Sequence, residues 1–105
     1  MELITDLNNG VYKITLNRPE VYNSFNKGMA LSLQKELDYC AQNDEIRTII
    51  ITGSGKAFCA GQDLAEATDP NGPELESIVR DHYNPIILKI RLLEKPVIAA
   101  VNGVA

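Results

Sequence analysis

Thr48-Ile49-Ile50-Ile51-Thr52-Gly53-Ser54-Gly55-Lys56-Ala57-Phe58-Cys59-Ala60-Gly61-Gln62-Asp63-Leu64 is the stretch that decides the fold class. Ile49 to Ile51 is an unbroken β-branched run, the pattern of a strand covered on both faces. Gly53 and Gly55 provide the backbone freedom for a sharp turn. Phe58-Cys59-Ala60 is small and apolar, Gly61 admits close approach to the main chain, and Asp63 suits a helix N-cap. Amides at such a helix start have no intrahelical acceptor and lie at the positive end of the helix dipole. Such a helix start is therefore a place to hold a developing oxyanion.

Working toward the N-terminus, the strand is expected over Ile46 to Thr52, behind a helix from about Lys27 to Asn43 capped by Asn26. Ala30, Leu33, Leu37, Cys40 and Ala41 recur at helical spacing, with Gln34, Lys35, Glu36 and Asp38 on the opposite face. Val21 to Asn26 has no regular period and reads as a loop, in which Tyr22 and Phe25 either line a site or pack onto the sheet. Asn17-Arg18-Pro19-Glu20 breaks a preceding strand. Leu3 to Leu7 and Val11 to Leu16 flank Asn8-Asn9-Gly10, a strong hairpin signal, with Tyr12, Ile14 and Leu16 on the core face. A helix joined to strands by short loops is the crossover unit of an α/β fold.

Toward the C-terminus, Ala65 to Gly72 reads as a short helical turn and a mobile loop of the kind that borders binding sites. From Pro73 the helical period returns through Leu75, Ile78, Val79, Tyr83, Ile86, Ile87, Ile90 and Leu93. Pro85 cannot donate to the carbonyl of Asp81, so a kink or break is required there. Lys95-Pro96 ends this helix, and Val97 to Val101 forms a second apolar strand, followed by the Asn102-Gly103 turn. A buried strand needs cover from the next element, so the chain is expected to be incomplete after Ala105.

The chain has 105 residues, 45% hydrophobic and 23% charged, the composition of an ordinary globular protein. A net charge of −4 argues against nucleic acid or an anionic membrane surface as the main partner. No apolar run approaches a membrane span. Cys40 and Cys59 sit in apolar surroundings without metal-ligand spacing or a secretory leader, which points to buried free thiols and a cytoplasmic location. Gly55-Lys56 does not open a phosphate loop, since the first glycine of that motif would fall at Ile50 and Ala57 replaces the hydroxyl residue. Gly53-Ser54-Gly55 fails as a dinucleotide fingerprint, because its third glycine would fall at Phe58. Lys56 is left as a surface lysine that could face ligand phosphates. His82, the sole histidine, has no partner at a telling spacing and is read as structural. Asp63 fits a cap better than a catalytic acid, and Glu66 is a weak acid/base candidate expected to be solvent-exposed.

Phe58-Cys59-Ala60-Gly61-Gln62-Asp63-Leu64 resembles the signature of the enoyl-CoA hydratase/isomerase (crotonase) superfamily. Ile14-Thr15-Leu16-Asn17-Arg18-Pro19-Glu20-Val21-Tyr22-Asn23 and Lys95-Pro96-Val97-Ile98-Ala99-Ala100-Val101-Asn102-Gly103 agree with it, in order and over nearly the whole chain. Gln62-Asp63-Leu64 with Tyr83-Asn84-Pro85 and Glu94-Lys95-Pro96 looks most like the branch that isomerises a ring-epoxide phenylacetyl-CoA. The resemblance implies an α/β, crotonase-like (ClpP/crotonase) spiral of β-β-α units, of which residues 1–105 form the N-terminal part. It implies an acyl-CoA thioester as partner, with coenzyme A part of the substrate and no other cofactor or metal, and assembly into trimers or hexamers.

Residue by residue, it makes the backbone amide of Gln62 the first oxyanion donor, surrounded by Ala60, Gly61, Asp63 and Leu64. Tyr22 becomes one wall of the coenzyme A groove. The second oxyanion donor and the acid/base carboxylates of the family follow the turn after Asn102-Gly103, so the 105-residue chain alone is expected to be inactive. Two other readings stay open: a non-catalytic coenzyme A binding or assembly module, and a small α/β domain without ligand.

Overall fold

The structure, a computed structural model, describes residues 1–105. Strands β1 (Leu3–Asn8) and β2 (Val11–Leu16) form the expected antiparallel hairpin, with Asn8 opposite Val11. Its two-residue loop places Asn9 at φ +52° and Gly10 at φ +83°, the left-handed pair that matches strand twist. Helix α1 (Lys27–Gln42) then crosses to β3 (Thr48–Gly53), which lies parallel to β2. A longer crossover carries α2 (Leu64–Ala67), α3 (Leu75–Ser77), a π-helical turn (Ile78–Tyr83) and α4 (Asn84–Leu92). It ends in β4 (Val97–Ala99), parallel to β3, giving a mixed sheet in the order β1-β2-β3-β4.

Period-two and period-3.6 patterns meet at one core. Tyr12, Ile14 and Leu16 point inward from β2, joined by Ile49 and Ile51 from β3. Met29, Ala30, Leu33, Leu37 and Cys40 of α1 and Ile86 of α4 cover them. Asn26 caps α1 by accepting from the Met29 amide at 2.9 Å. At the other end Lys95 Nζ donates to the carbonyls of Cys40 and Asn43, a cation placed on the negative pole of the helix.

Three expectations are corrected. Ile49 and Ile51 are buried but Ile50 is only half-buried, and its β4 partner Ile98 is 49% exposed. Helices thus cover one face of the sheet, not both, because α1 and α4 pack on the same side. The last strand stops at Ala99, and Val101 is exposed. Cys59 is half-buried, whereas Cys40 is fully buried; both thiols are free.

Pro85 does break the helical pattern, by widening it into the π turn. The Asn84 amide reaches back to the Val79 carbonyl, one residue farther than in an α-helix. Gln34 of α1 reaches across and donates Nε2 to the carbonyls of Asp81 (2.9 Å) and His82 (3.1 Å). The Asp81 carbonyl, which Pro85 could not serve in an α-helical register, thus has a side-chain donor from the neighbouring helix.

Candidate active site

The segment 60–63 runs parallel to 22–25 and is bonded to it along one edge only. The Ala60 amide donates to the Tyr22 carbonyl (3.0 Å), the Phe25 amide to the Gly61 carbonyl (2.7 Å), and the Asp63 amide to the Phe25 carbonyl (2.8 Å). This register leaves the N–H and C=O of Gln62 on the opposite edge, where neither has a partner within the chain. The peptide between Gly61 and Gln62 is trans, so its N–H points away from the carbonyl that Phe25 holds. Gly61 makes this possible at φ +118°, a conformation that residues with a Cβ rarely adopt. A Cβ built there would meet no atom within 4 Å, so glycine is required by conformation and not by crowding.

A cleft of about 500 Å³ opens against these two segments, lined by Val21, Ser24, Ala60, Gln62, Asp63, Leu64 and Ala65. Four of the residues singled out by sequence, Ala60, Gln62, Asp63 and Leu64, meet there. Tyr22 does not line it. That residue ends a short 3-10 turn (Pro19–Val21) at φ +53°, is 56% exposed, and its carbonyl fixes Ala60. A second, wholly apolar cavity of about 340 Å³ lies between the sheet and the helices, bounded by Phe25, Phe58, Cys59, Ile90 and neighbours.

Asp63 caps α2 by accepting from the Glu66 amide at 3.2 Å, as its position suggested. Its other oxygen accepts from Arg18 at 2.9 Å, and both side chains are about 85% buried. Arg18 also donates to the Ser24 carbonyl, so one guanidinium joins the two segments that frame the cleft. The Arg18–Asp63 hydrogen bond, assisted by the Glu66 and Ala65 amides, holds the Asp63 carboxyl below the usual range and keeps it ionised. An ionised, doubly held carboxylate is a poor general base.

Glu66 was expected at the surface, but it is half-buried and engaged on both oxygens. It accepts from Gln62 Nε2 (3.3 Å) and from the Lys27 amide (3.0 Å) at the start of α1. Gln62 Oε1 in turn accepts from the Tyr83 hydroxyl. Asn23, fully buried at φ +57°, braces the preceding turn by donating to the Ser54 (3.0 Å) and Ala57 (2.9 Å) carbonyls. Arg18, Asn23 and Tyr83 were not picked out as site residues. Arg18 and Asn23 lie inside a motif segment and bond to each other locally, yet the partners that tie them to the site, Asp63 for Arg18 and Ser54 and Ala57 for Asn23, are 31 or more residues away and leave no local pattern. His82 is buried in the π turn and does not line the cleft. No cluster of potential metal ligands is present.

The profile of the family described as enoyl-CoA hydratase/isomerase matches residues 6–105. The chain belongs to this family. It is 45% identical over 106 residues to the 1,2-epoxyphenylacetyl-CoA isomerase of Escherichia coli, covering 98% of this chain and 40% of that one. It is 35% identical over 104 residues to the 2,3-dehydroadipyl-CoA hydratase of the same organism, covering 99% and 40%. Among solved structures, an enoyl-CoA hydratase from Bacillus anthracis superposes with a TM-score of 0.85 at 35% identity, over 100% of this chain and 41% of that one. The α/β fold is thus that of the crotonase structures over their matched part. The chain spans about two-fifths of the length of these enoyl-CoA hydratase/isomerase relatives. No helix is long and apolar enough to cross a membrane.

Proposed function

We propose that residues 1–105 are the N-terminal part of a crotonase-like domain that binds an acyl-CoA thioester and presents the Gln62 amide to its carbonyl oxygen. The observation that carries this reading is that amide: unpartnered, on a free edge, beside a cleft, with Gly61 at φ +118° before it. As negative charge develops on the thioester oxygen, a fixed N–H donor stabilises it more than it stabilises the ground state. One such donor contributes about 3 kcal/mol to the transition state. The groove bordered by the loop around Tyr22 takes the coenzyme A moiety, and ring-epoxide phenylacetyl-CoA or an enoyl-CoA is the acyl class.

The two carboxylates nearest the amide, Asp63 and Glu66, are both occupied by donors within the protein, so neither serves as acid or base. Proton transfer and the second donor come from the part of the family fold that follows the Asn102-Gly103 turn. The full-length protein is read as a cytoplasmic trimer or hexamer, and the two free thiols are in keeping with a reducing compartment.

Calorimetric titration of the purified chain with acetyl-CoA, and with its S-ethyl thioether lacking the carbonyl, tests the proposal. Tighter binding of the thioester is expected, and no turnover of crotonoyl-CoA. Equal affinities would support a coenzyme A binding module without an oxyanion site. Absence of heat with both ligands would support an α/β domain without ligand. Turnover by the 105-residue chain would overturn its assignment as inactive.

A further inference from the structure

Gln62 makes no backbone hydrogen bond of its own, although Gly61 and Asp63 on either side are bonded to Phe25. Its direct attachments are through the side chain: Oε1 accepts from the Tyr83 hydroxyl and Nε2 donates to Glu66. Glu66 is a carboxylate and only accepts, which fixes the orientation of the Gln62 amide group and leaves its oxygen for Tyr83. Tyr83 is itself held. It is the last residue of the π turn, and its ring lies 5.9 Å from that of Phe25. The extra residue in that turn rotates Tyr83 relative to an uninterrupted α-helix, and Pro85 and Gln34 maintain it. Burial pushes the phenol up from its ordinary value, so the hydroxyl keeps its proton and remains a donor at neutral pH.

We infer that Tyr83 is a positioning residue, which acts through the Gln62 side chain to hold the free Gln62 amide at the cleft edge. This role rests on the oxyanion reading above, and it supplies what a one-edged strand lacks. The backbone bonds to 22–25 restrain the neighbours of Gln62 in the plane of the strand. The Tyr83–Gln62–Glu66 chain restrains the residue itself from the side.

Tyr83→Phe removes the hydroxyl and keeps the ring on Phe25; Gln62→Met removes both polar atoms and keeps the backbone amide. The first readout needs no ligand. In the free protein the backbone order parameter of Gln62 is expected to fall from about 0.85 toward 0.6 in Tyr83→Phe. The second is the carbonyl stretch of bound acetyl-CoA labelled with carbon-13 at the thioester, which hydrogen bonding lowers. Tyr83→Phe is expected to lose most of that lowering and to weaken binding about three- to tenfold. In the Gln62→Met background the same change should add nothing, since its route is gone. An unchanged order parameter and carbonyl stretch in Tyr83→Phe, or an additive effect in the double variant, overturns the role of Tyr83. If the wild-type protein binds acetyl-CoA with no lowering of the stretch, the oxyanion reading fails and takes this role with it. In that event the ligand-free measurement still distinguishes a clamp on Gln62 from none.

Discussion

Replacing Gly61 with alanine separates conformation from crowding at the centre of the site. Gly61 has φ +118°, and a Cβ there touches nothing within 4 Å. The substitution therefore costs conformational energy alone, about 1–3 kcal/mol for a residue with a Cβ held in such a region. Alanine also narrows the unfolded ensemble, which offsets about 0.4–1 kcal/mol. A net loss of about 1–2 kcal/mol is expected. With a urea m-value of about 1.5 kcal/mol/M, the unfolding midpoint falls by roughly 1 M. The backbone can escape this cost only by turning the Gly61–Gln62 peptide, which breaks the 2.7 Å bond from Phe25 and moves the free amide. Acetyl-CoA affinity should fall in that case, together with stability. Gly53→Ala is the contrasting variant, because its Cβ would lie 2.4 Å from the Ala57 carbonyl oxygen and 2.6 Å from that of Phe58. Its cost is steric, about 3 kcal/mol. Urea unfolding followed by circular dichroism measures both. A Gly61→Ala midpoint within about 0.3 M of wild type, with affinity unchanged, would show that the positive φ is not needed and would remove the basis for the free amide.

Arg18→Met strips the partner from a largely buried Asp63 carboxylate and is expected to destabilise by about 2 kcal/mol at neutral pH, measured by urea unfolding. The folded Asp63 carboxyl lies below its unfolded value of about 3.9, so its contribution is full above about pH 4 and disappears as pH falls further. The variant should lose that acid limb. Tyr12 is raised to about 12 by burial and its bond to Glu36, so stability should decline as pH rises from about 10 toward 12, where the unfolded chain ionises first. Tyr12→Phe should flatten part of this alkaline decline in a thermal-melt series, leaving the share due to Cys40, raised to about 11. Lys95→Met removes the ammonium that makes two hydrogen bonds at the end of α1 and should cost about 1–2 kcal/mol by the same unfolding assay, with partial rescue by arginine.

The sequence by itself determined whatever is encoded by neighbours along the chain. Asn9-Gly10 dictated the hairpin, since few residue pairs adopt two positive φ values in succession. The spacing of Leu33, Leu37 and Cys40 dictated the buried face of α1, and Asn26 and Asp63 announced their helices through their own side chains. Pro85 announced a disruption, because a missing N–H is a property of one residue. Tertiary structure alone decided how that disruption was resolved, through Gln34 about 50 residues earlier. It also decided that Glu66 is engaged and not solvated, that Arg18 joins Asp63 to Ser24, and that Tyr83 reaches Gln62. It decided, too, that only one face of the sheet is covered. The division has a physical cause: backbone dihedrals and helical periodicity are local. Hydrogen bonds between side chains far apart in sequence exist only after the core has set the elements against one another, and such bonds frame the cleft.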